Sequence, residues 1–514
     1  MFFLYDNVAV LSVAAVCCVL AWLFGGTVAS ALFPAIPWLV AIMAEMALCF
    51  PQRKPGETTF EARERVWAKI KSDRMPMFAL AFVALLCFAF FNKGLCPCCD
   101  YPAINFDGAV ADPPLPVAPF CVDRLEHLNV TLWFVCAFSC AIAARHALLK
   151  RGKRLVLEIV VWNGLALSVL GMVQYATGAE GPFWIANGRT PTYFFSTFGY
   201  PNMAGDYFTT LFALSVALWR WNVEEVRREQ IDSNSAMQSS HKRFWRKHLM
   251  LVPAVVFFFS AMMTLSRSAI LMVTVLAVLF FAHAFTSFLA RMSRAKRVKT
   301  MAANFIVLVL IGTFFAVFLS GRDRLVENGA GGFKTDFKSE VSSLDGRGMI
   351  DRISGKGQYH VRVASKIWLD NILFGCGGWG YRHFCIPKMS DADFKAMQRT
   401  GGVNVHNDYM QFLAEHGIVG LSLIAAVLLS LIWPLFRVWK TLAASARFLK
   451  PKDQPPKPVA IFALPASVFC ILSAAIATMV HAFADCPFRS PAVMTLFFTM
   501  LASMDGFLPR LEKE

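Results

Sequence analysis

The side chain best suited to acid–base chemistry lies in the polar stretch Gly401–Gly417, which leads into an apolar run. His406 precedes Met410 and Leu413, and this helical spacing predicts that His406 lies in the first turn of a short helix ending at Gly417. A helix N-terminus favours a neutral imidazole, which can accept a proton. We therefore predict that His406 is a general base; the alternative is a polar helix cap.

Two arginines could bind an anionic group. Arg267 lies in the short turn Thr264–Ala269 between two apolar runs, where a charge is costly unless it is paired, reaches the surface or faces a polar cavity. We predict that it binds an anion rather than only anchoring the turn. Arg362 lies one helical turn before Lys366 in a segment, at about 358–372, that is predicted to be an amphipathic helix.

Amide side chains are predicted to support these residues. Asn407 directly follows His406, and Asn202 lies beside Pro201 at the start of an apolar run. Because proline interrupts helices, we predict a broken or re-entrant entry to that run. Asn202 and the nearby Asp206 would then either line the site or cap the helix.

Two further polar patterns have local structural interpretations. The run Phe374–Gly380 is rich in glycine but lacks the Gly-Lys-Ser/Thr sequence of a phosphate-binding loop, so we predict a tight turn between two surface helices. Asp391 and Asp393 are predicted to lie at a solvated helix start rather than to form a metal site.

The cysteines do not predict a metal site either. Those of the loop 92–126 have no histidine pair at ligand spacing, so a disulfide clamp is the favoured prediction and zinc the alternative. The topology given below places seven cysteines on the outer side, and because seven is odd, at least one thiol is left over. They are Cys96, Cys98, Cys99, Cys121, Cys376, Cys385 and Cys486.

Composition defines the class of protein. The 514 residues are 57% hydrophobic and 16% charged, whereas soluble proteins are about 25% charged. Repeated apolar runs approach the ~20 residues that cross a bilayer, so we predict an all-α polytopic membrane protein. The net charge of +16 falls mostly in short clusters between apolar runs, which is typical of membrane loops, and no nucleic-acid partner is expected.

About twelve membrane spans are predicted. With the N-terminus inside, cytoplasmic loops and the C-terminal tail hold 32 of the 50 lysines and arginines, as the positive-inside rule requires. Three regions follow: 1–320 with nine spans and the outer loop 92–126, 321–417 as one large outer loop carrying His406, and 418–514 with three spans and a cytoplasmic tail. The predicted spans are 8–24, 30–50, 76–91, 127–148, 155–176, 204–219, 249–264, 268–290, 302–320, 418–436, 459–484 and 491–508.

This topology places Arg267, Arg362 and His406 on the same side of the membrane. Arginines there can carry the charge that develops on a lipid diphosphate leaving group, and a neutral histidine can deprotonate an attacking hydroxyl. The residue types are therefore compatible with glycosyl transfer that needs no metal.

The later part of the chain resembles the O-antigen ligase (Wzy_C) superfamily of bacterial polysaccharide assembly enzymes. The resemblance covers about residues 190–500, and the first 150 residues match by hydropathy only. Its motifs are Phe198–Ala204, Leu265–Ala269, Arg362–Trp368 with Leu373–Gly380, Val405–Gly417 and His481–Ala492.

The resemblance implies a GT-C-like inverting glycosyltransferase of the bacterial inner membrane, with its active site in the periplasm and both termini in the cytoplasm. It would move a glycan from an undecaprenyl-diphosphate carrier to lipid A-core or another acceptor, among membrane lipids and without cofactor or metal. By motif match, Arg267 and Arg362 would bind the diphosphate and His406 would activate the acceptor. The Cys-rich loop 92–126 and the Phe374–Gly380 run depart from the pattern, which leaves the acceptor open.

Three alternatives remain at this point. A polysaccharide polymerase and a protein O-oligosaccharyltransferase share these motifs, although a single dominant outer loop favours a ligase over a polymerase. A transporter of a lipid-linked glycan should have charges in the middle of its spans and two repeated halves. The sequence has neither a convincing repeat nor that charge pattern.

Overall fold

A computed structural model describes most of the chain. Its described residues are 2–23, 25, 35–94, 113–115, 117–185, 194–232, 240–289, 358–400, 404–448 and 464–508. Secondary structure in these ranges is helical, with isolated bridges only and no strand. The predicted all-α class is confirmed for this part of the chain.

The described helices fall into three groups. The first group is α1 (Phe2–Trp22), α2 (Ala35–Cys49), α3 (Thr59–Ser72), α4 (Arg74–Phe91), α5 (Arg124–Ile142, extended by a π turn at Ala143–Ala147) and α6 (Lys150–Ala176). The second is α7 (Pro201–Asp232), α8 (Ser240–His248), α9 (Leu251–Met263) and α10 (Arg267–Leu289). The third is α11 (Gln358–Asp370), α12 (Tyr381–Lys388), α13 (Asp391–Thr400), α14 (Asp408–Phe448), α15 (Ala466–His481) and α16 (Pro491–Ser503).

Six segments of the described chain are long and apolar enough to cross a membrane. They are Arg74–Phe91, Arg124–Ala147, Lys150–Ala176, Phe244–Met263, Arg267–Phe285 and Asp408–Phe436. Four shorter apolar helices accompany them, and the predicted ninth span, 302–320, lies outside the described residues. The chain is a helical membrane protein, whereas the number twelve stays a prediction.

A large apolar core joins the membrane helices. The helix α7 lies at its centre, packed against α15 on one side and α9 on the other. The contact with the start of α10 is especially close, because a Cβ on Gly205 would lie 2.4 Å from the Cβ of Ala269. Glycine at position 205 therefore lets α7 approach the Thr264–Ala269 turn, which the sequence analysis identified as a candidate site.

A second, smaller core joins the segment that was predicted to be one large outer loop to the end of the predicted loop 92–126. The helix α11 confirms the predicted amphipathic helix and buries one face of the segment at about 358–372 in this core. The core residues are Phe120, Val122, Val363, Ala364, Ile367, Cys376, Tyr381, Cys385, Val405 and Ala414.

The glycine-rich run is a turn between α11 and α12, as predicted. Gly377 has a φ of +85°, and a Cβ there would lie 2.5 Å from the carbonyl oxygen of Phe120, so only glycine fits. The N–H of Gly378 donates to Nδ1 of His127 at 2.9 Å, and His127 Nε2 lies 2.8 Å from the carbonyl oxygen of Leu86. The turn is thereby fixed onto the C-terminal end of α4 and the N-terminal end of α5.

The predicted disulfide clamp is absent among the described cysteines. Cys121, Cys376, Cys385 and Cys486 are all free thiols and all buried. Cys376 and Cys385 pack in the second core, a common role for buried cysteine, whereas the thiol of Cys486 contacts the carboxylate of Asp485. The other predicted members, Cys96, Cys98 and Cys99, lie outside the described residues.

Candidate functional site

His406 lies just before the helix rather than in its first turn. The helix α14 begins at Asp408, and the side-chain oxygen of Asn407 accepts the N–H of Met410 at 3.0 Å in the manner of a helix cap. His406 has a φ of +51°, in the left-handed region that non-glycine residues seldom occupy. Such strain often occurs at functional sites.

The imidazole of His406 is paired with a carboxylate that the sequence analysis did not select. His406 Nδ1 lies 3.2 Å from Oδ1 of Asp485. The Asp485 side chain is only 6% exposed, whereas that of His406 is 37% exposed. Because Nδ1–H donates to the carboxylate, the lone pair of Nε2 is left to accept a proton.

Asp485 is itself held by several donors. The Tyr200 hydroxyl lies 3.0 Å from Oδ2, the side-chain amide of Asn202 also donates to Oδ2, and the backbone N–H of Cys486 donates to Oδ1 at 2.8 Å. Burial opposes ionisation, but the hydrogen bond from His406 and the surrounding charges outweigh it and lower the pKa of Asp485 to about 2. The carboxylate is therefore charged over the physiological range.

The pKa of His406 is shifted in the direction opposite to the one expected from the helix N-terminus. The hydrogen bond to Asp485 is the main cause, and it raises the pKa against the opposing effect of burial. A full charge 3.2 Å away outweighs the partial charge of a helix end. The imidazole is consequently a stronger base than the sequence suggested.

A second histidine–carboxylate pair, formed by His481 and Asp206, neighbours the first. His481 Nδ1 is 3.0 Å from Oδ1 of Asp206, and Nε2 is 2.7 Å from the hydroxyl of Ser268. Oδ2 of Asp206 accepts the hydroxyl of Thr478 at 3.0 Å. Both members of the pair are buried, and both ring nitrogens of His481 already have partners.

This second pair positions the turn that carries Arg267. Ser268 follows Arg267 directly, and its hydroxyl lies 3.0 Å from that of Ser266 on the other side. His481 also connects to the first pair, since its carbonyl oxygen accepts the N–H of Asp485 at 3.0 Å. Hydrogen bonds through Ser268, His481 and Asp485 therefore connect the Arg267 turn to His406.

The predicted entry to α7 takes a different form. Pro201 begins the helix instead of breaking it, because the first helical position needs no N–H donor. Asn202 and Asp206 lie in the first two turns, and each bonds to one of the two pairs rather than capping the helix. Residues 194–200, directly before Pro201, are not helical and are mostly buried in the bundle, since the hydroxyl of Ser196 donates to the carbonyl oxygen of Leu167 within α6 at 2.8 Å.

Asn407 fixes the His406 segment to the end of α15. Its amide nitrogen donates to the carbonyl oxygen of Phe483 at 3.1 Å, and the N–H of Asp408 donates to that of Ala482 at 2.8 Å. Two segments far apart in the sequence are thus locked together beside the His406–Asp485 pair.

Arg362 lies near this site without contacting the pair. Its guanidinium is 66% exposed and lies 2.9 Å from Oδ1 of Asp393, which is nearly buried rather than solvated as predicted. Asp393 also accepts the hydroxyl of Ser390 at 2.8 Å. Arg362 is therefore placed at the rim of the site and is held by a carboxylate.

His360, which the sequence analysis missed, is closer to the centre. Its ring lies 6.2 Å from that of His406, and its Nδ1 lies 2.8 Å from the hydroxyl of Tyr381. Burial first, and then the neighbouring His406, lower the pKa of His360 to about 4. It therefore stays neutral and adds no charge beside His406.

Buried charges also brace the helical segment that follows His406. Arg489 bonds to Glu415 at 2.7 Å and lies 3.8 Å from Asp408. Its guanidinium stacks 4.7 Å from the ring centre of Trp379, whose ring also lies 3.7 Å from the guanidinium of Arg382. The glycine-rich turn thus packs through Trp379 against the segment that carries His406.

One group of potential metal ligands occurs among the described residues. His406, Asp485 and Cys486 present ligand atoms that lie within 4.8 Å of one another. These side chains suit a transition metal such as zinc, although the hydrogen bonds of Asp485 also complete the site without one.

The fold and the site define a helical membrane protein with a carboxylate-supported imidazole and a charged turn at the ends of its helices. Comparison with protein families gives a more specific result: residues 252–425 match the Wzy_C model, described as O-antigen ligase. The match covers 174 of the 514 residues, so the chain is similar to this family over about a third of its length, and the members of the family are membrane glycosyltransferase-like enzymes. The match contains Arg267, Arg362 and His406 but not Asn202 or Asp485. No curated protein sequence matches the chain.

Proposed function

We propose that the protein transfers a glycan from an undecaprenyl-diphosphate carrier to an acceptor hydroxyl, with lipid A-core as the favoured acceptor. The observation that carries the proposal is the His406–Asp485 pair, in which a half-exposed imidazole is bonded to a buried carboxylate. The family match supports the class of reaction, and the pair supports the role of the base.

The proposed reaction is a single displacement. Nε2 of His406 accepts the proton of the acceptor hydroxyl while that oxygen forms a bond to the anomeric carbon of the glycan. The bond from that carbon to the diphosphate oxygen breaks, and its electron pair leaves with the diphosphate. Attack opposite the leaving group inverts the anomeric configuration, and Asp485 stabilises the imidazolium that forms.

The diphosphate needs positive charge at its leaving oxygens, and we assign this role to Arg267 and Arg362. The Arg267 turn adjoins the site through Ser268 and His481. Arg362 is exposed at the rim, where its guanidinium could bind a second phosphate oxygen while Asp393 keeps it extended. Asn202 and Asn407 would support the two sides of the pair.

The proposed location follows from the same arrangement. The site lies at the ends of the membrane helices, and α11 adjoins it through His360, whose ring lies 6.2 Å from that of His406. A periplasmic site in the inner membrane, formed by the loop 321–417 above spans in 1–320 and 418–514, suits a lipid-linked donor that presents its glycan outside the cell.

Product analysis tests the proposal. Purified protein would be reconstituted with an undecaprenyl-diphosphate glycan and a mixture of lipid A-core and carrier-linked repeats, and mass spectrometry would identify the products. Glycan on lipid A-core establishes ligation. Lengthening on the carrier alone would show a polymerase, modification of an added peptide would show an oligosaccharyltransferase, and the absence of any covalent product would contradict glycosyl transfer.

A further inference from the structure

The His406–Asp485 pair has a third neighbour whose chemistry the proposed transfer does not use. The thiol of Cys486 lies 3.3 Å from Oδ1 of Asp485, the same oxygen that His406 Nδ1 approaches at 3.2 Å. We propose that Nδ1 of His406, Oδ1 of Asp485 and Sγ of Cys486 form an inhibitory zinc site. The inhibitory part of this proposal rests on the proposed function, whereas the binding part does not.

The spacing of the three atoms suits tetrahedral zinc. Bonds of about 2.0–2.2 Å to nitrogen and oxygen and about 2.3 Å to sulfur place neighbouring ligand atoms about 3.3–3.7 Å apart. The two measured separations, 3.2 and 3.3 Å, are close to this range, and all the ligand atoms lie within 4.8 Å of one another. Only small side-chain shifts are needed to enclose an ion.

The surroundings of the carboxylate also suit a metal ligand. The Tyr200 hydroxyl lies 3.0 Å from Oδ2 and 3.2 Å from Oδ1, and Asn202 donates to Oδ2, so the carboxylate is held with Oδ1 towards His406 and Cys486. Hydrogen bonds to the far oxygen of a ligating carboxylate are a regular feature of metal sites. The fourth coordination position would lie on the open side of His406, which is the exposed member of the group.

Charge and protons balance in the bound state. The two charges of zinc are compensated by one thiolate and one carboxylate, so the buried group is neutral overall. The Cys486 thiol releases its proton to solvent, and the proton on Nδ1 of His406 moves to Nε2. Coordination thus releases one proton for each ion bound.

This change of tautomer explains why zinc would inhibit. In the free pair, Nδ1 carries the proton and Nε2 can accept one from the acceptor hydroxyl. When Nδ1 binds zinc, Nε2 carries the proton and has no lone pair in the ring plane to accept another. The substrate side of the imidazole changes from a base to a donor although its position hardly moves.

Binding can be measured without any activity. Cd²⁺, a probe with zinc-like geometry and a stronger preference for thiolate, gives an ultraviolet charge-transfer band when it binds sulfur. The purified full chain should bind one Cd²⁺ with this band and lose it when Zn²⁺ competes. Cys486→Ser should remove the band, whereas Cys385→Ser, which changes a buried outer thiol outside the group, should keep it.

Affinity and transfer give the second test. Zn²⁺ in a chelator buffer should inhibit transfer by the wild-type protein, and EDTA should restore it. Cys486→Ser should raise the half-inhibitory Zn²⁺ concentration by about 100-fold, measured against its own zinc-free rate, and Tyr200→Phe should weaken Cd²⁺ binding by about tenfold. Cys385→Ser should be inhibited like wild type.

Each result decides the proposal. The absence of a Cys486-dependent band in a folded wild-type protein would overturn the site, whether or not the protein transfers glycan. Stoichiometric binding with undiminished transfer, or transfer stimulated by zinc, would overturn the inhibitory role. If no acceptor is glycosylated under any condition, the function fails, while the cadmium band still decides the metal site.

Discussion

Two histidine–aspartate pairs are joined by the hydrogen bond from the N–H of Asp485 to the carbonyl oxygen of His481, but their surroundings differ. His406 is half-exposed, and its Nε2 has no hydrogen-bond partner among the described residues, whereas His481 is buried with both nitrogens bonded, one to Asp206 and one to Ser268. The same two residue types therefore serve two tasks. The His406–Asp485 pair, called the open pair, can exchange a proton with a substrate. The His481–Asp206 pair, called the closed pair, can only hold its neighbours in place.

The largest effect on transfer is expected from removing the open imidazole. His406→Ala should lower the rate by about 10²–10⁴-fold, because the hydroxyl loses its general base. Expression and donor binding should stay near wild type, and the loss of stability should be small because Tyr200, Asn202 and the N–H of Cys486 still donate to the Asp485 carboxylate. The matched control is His383→Gln, which changes another outer histidine paired with a carboxylate, and it should retain full transfer. Full activity of His406→Ala would remove the base from the mechanism.

The next largest effect should come from neutralising the carboxylate of the open pair. Because Asp485 raises the pKa of His406, the neutral, active form grows as the pH rises through a value above the ordinary ~6.5. Asp485→Asn removes that attraction, so the pKa should fall and the acidic limb of the pH–rate profile should move to lower pH. The maximal rate should fall by about 10²-fold, because the imidazolium is no longer stabilised.

These profiles are best measured with EDTA present, so that metal binding does not contribute. A limb at the same pH in wild type and Asp485→Asn would show that a group other than His406 controls the rate. The position of the acidic limb distinguishes a catalytic role of the His406–Asp485 pair from a structural one. A structural defect would lower the rate by the same factor at all pH values and would leave the limb in place.

Breaking the closed pair should affect stability more than chemistry. His481→Ala leaves the buried carboxylate of Asp206 without its partner, which costs about 3–5 kcal/mol. Thermal unfolding should therefore occur at a clearly lower temperature than in His406→Ala. The rate per folded molecule should fall only about tenfold, through displacement of the Arg267 turn. The double variant His481→Leu with Asp206→Leu should recover much of the stability but not the rate, because it removes the unpaired charge without restoring the bond to Ser268.

The parts of this site that the sequence could predict are those whose interacting residues lie close together along the chain. The helix at Gln358–Asp370, the glycine turn and His406 follow from local spacing and were predicted. The pairs join residues 79 and 275 positions apart, and no local pattern identifies such partners. The late motif at His481–Ala492 contained both missing members, His481 and Asp485, but only as part of a family resemblance.

Local rules also gave two errors with physical causes. The helix N-terminus was expected to lower the pKa of His406, but a carboxylate from another segment outweighs it. Pro201 was expected to break a helix, but at the first helical position proline is favourable. In both cases the rule was applied correctly, and an effect that depends on position or tertiary contact overrode it.

Arg267 gives a smaller and more specific test of what the closed pair positions. Arg267→Lys keeps the charge but loses the planar fork of donors, so the rate should fall by about tenfold, or ~1.4 kcal/mol. Arg267→Ala should lose more than this. If both variants transfer at the wild-type rate, the turn only anchors the hairpin, and the closed pair has a purely structural role.

The smallest effect is expected at the rim. Arg362→Ala should raise KM for the lipid-linked donor by a few-fold, about 1 kcal/mol, with little change in kcat, because an exposed guanidinium contributes modest binding energy.

Asp393→Asn, measured beside Arg362→Ala, distinguishes two possible roles of Asp393. If Asp393 only holds Arg362 extended for the diphosphate, Asp393→Asn should weaken donor binding in the same direction. If Asp393 competes with the diphosphate for the guanidinium, the same change should lower KM. Equal KM in wild type and Arg362→Ala would exclude Arg362 from donor binding and leave Arg267, beside the closed pair, as the remaining proposed ligand of the diphosphate.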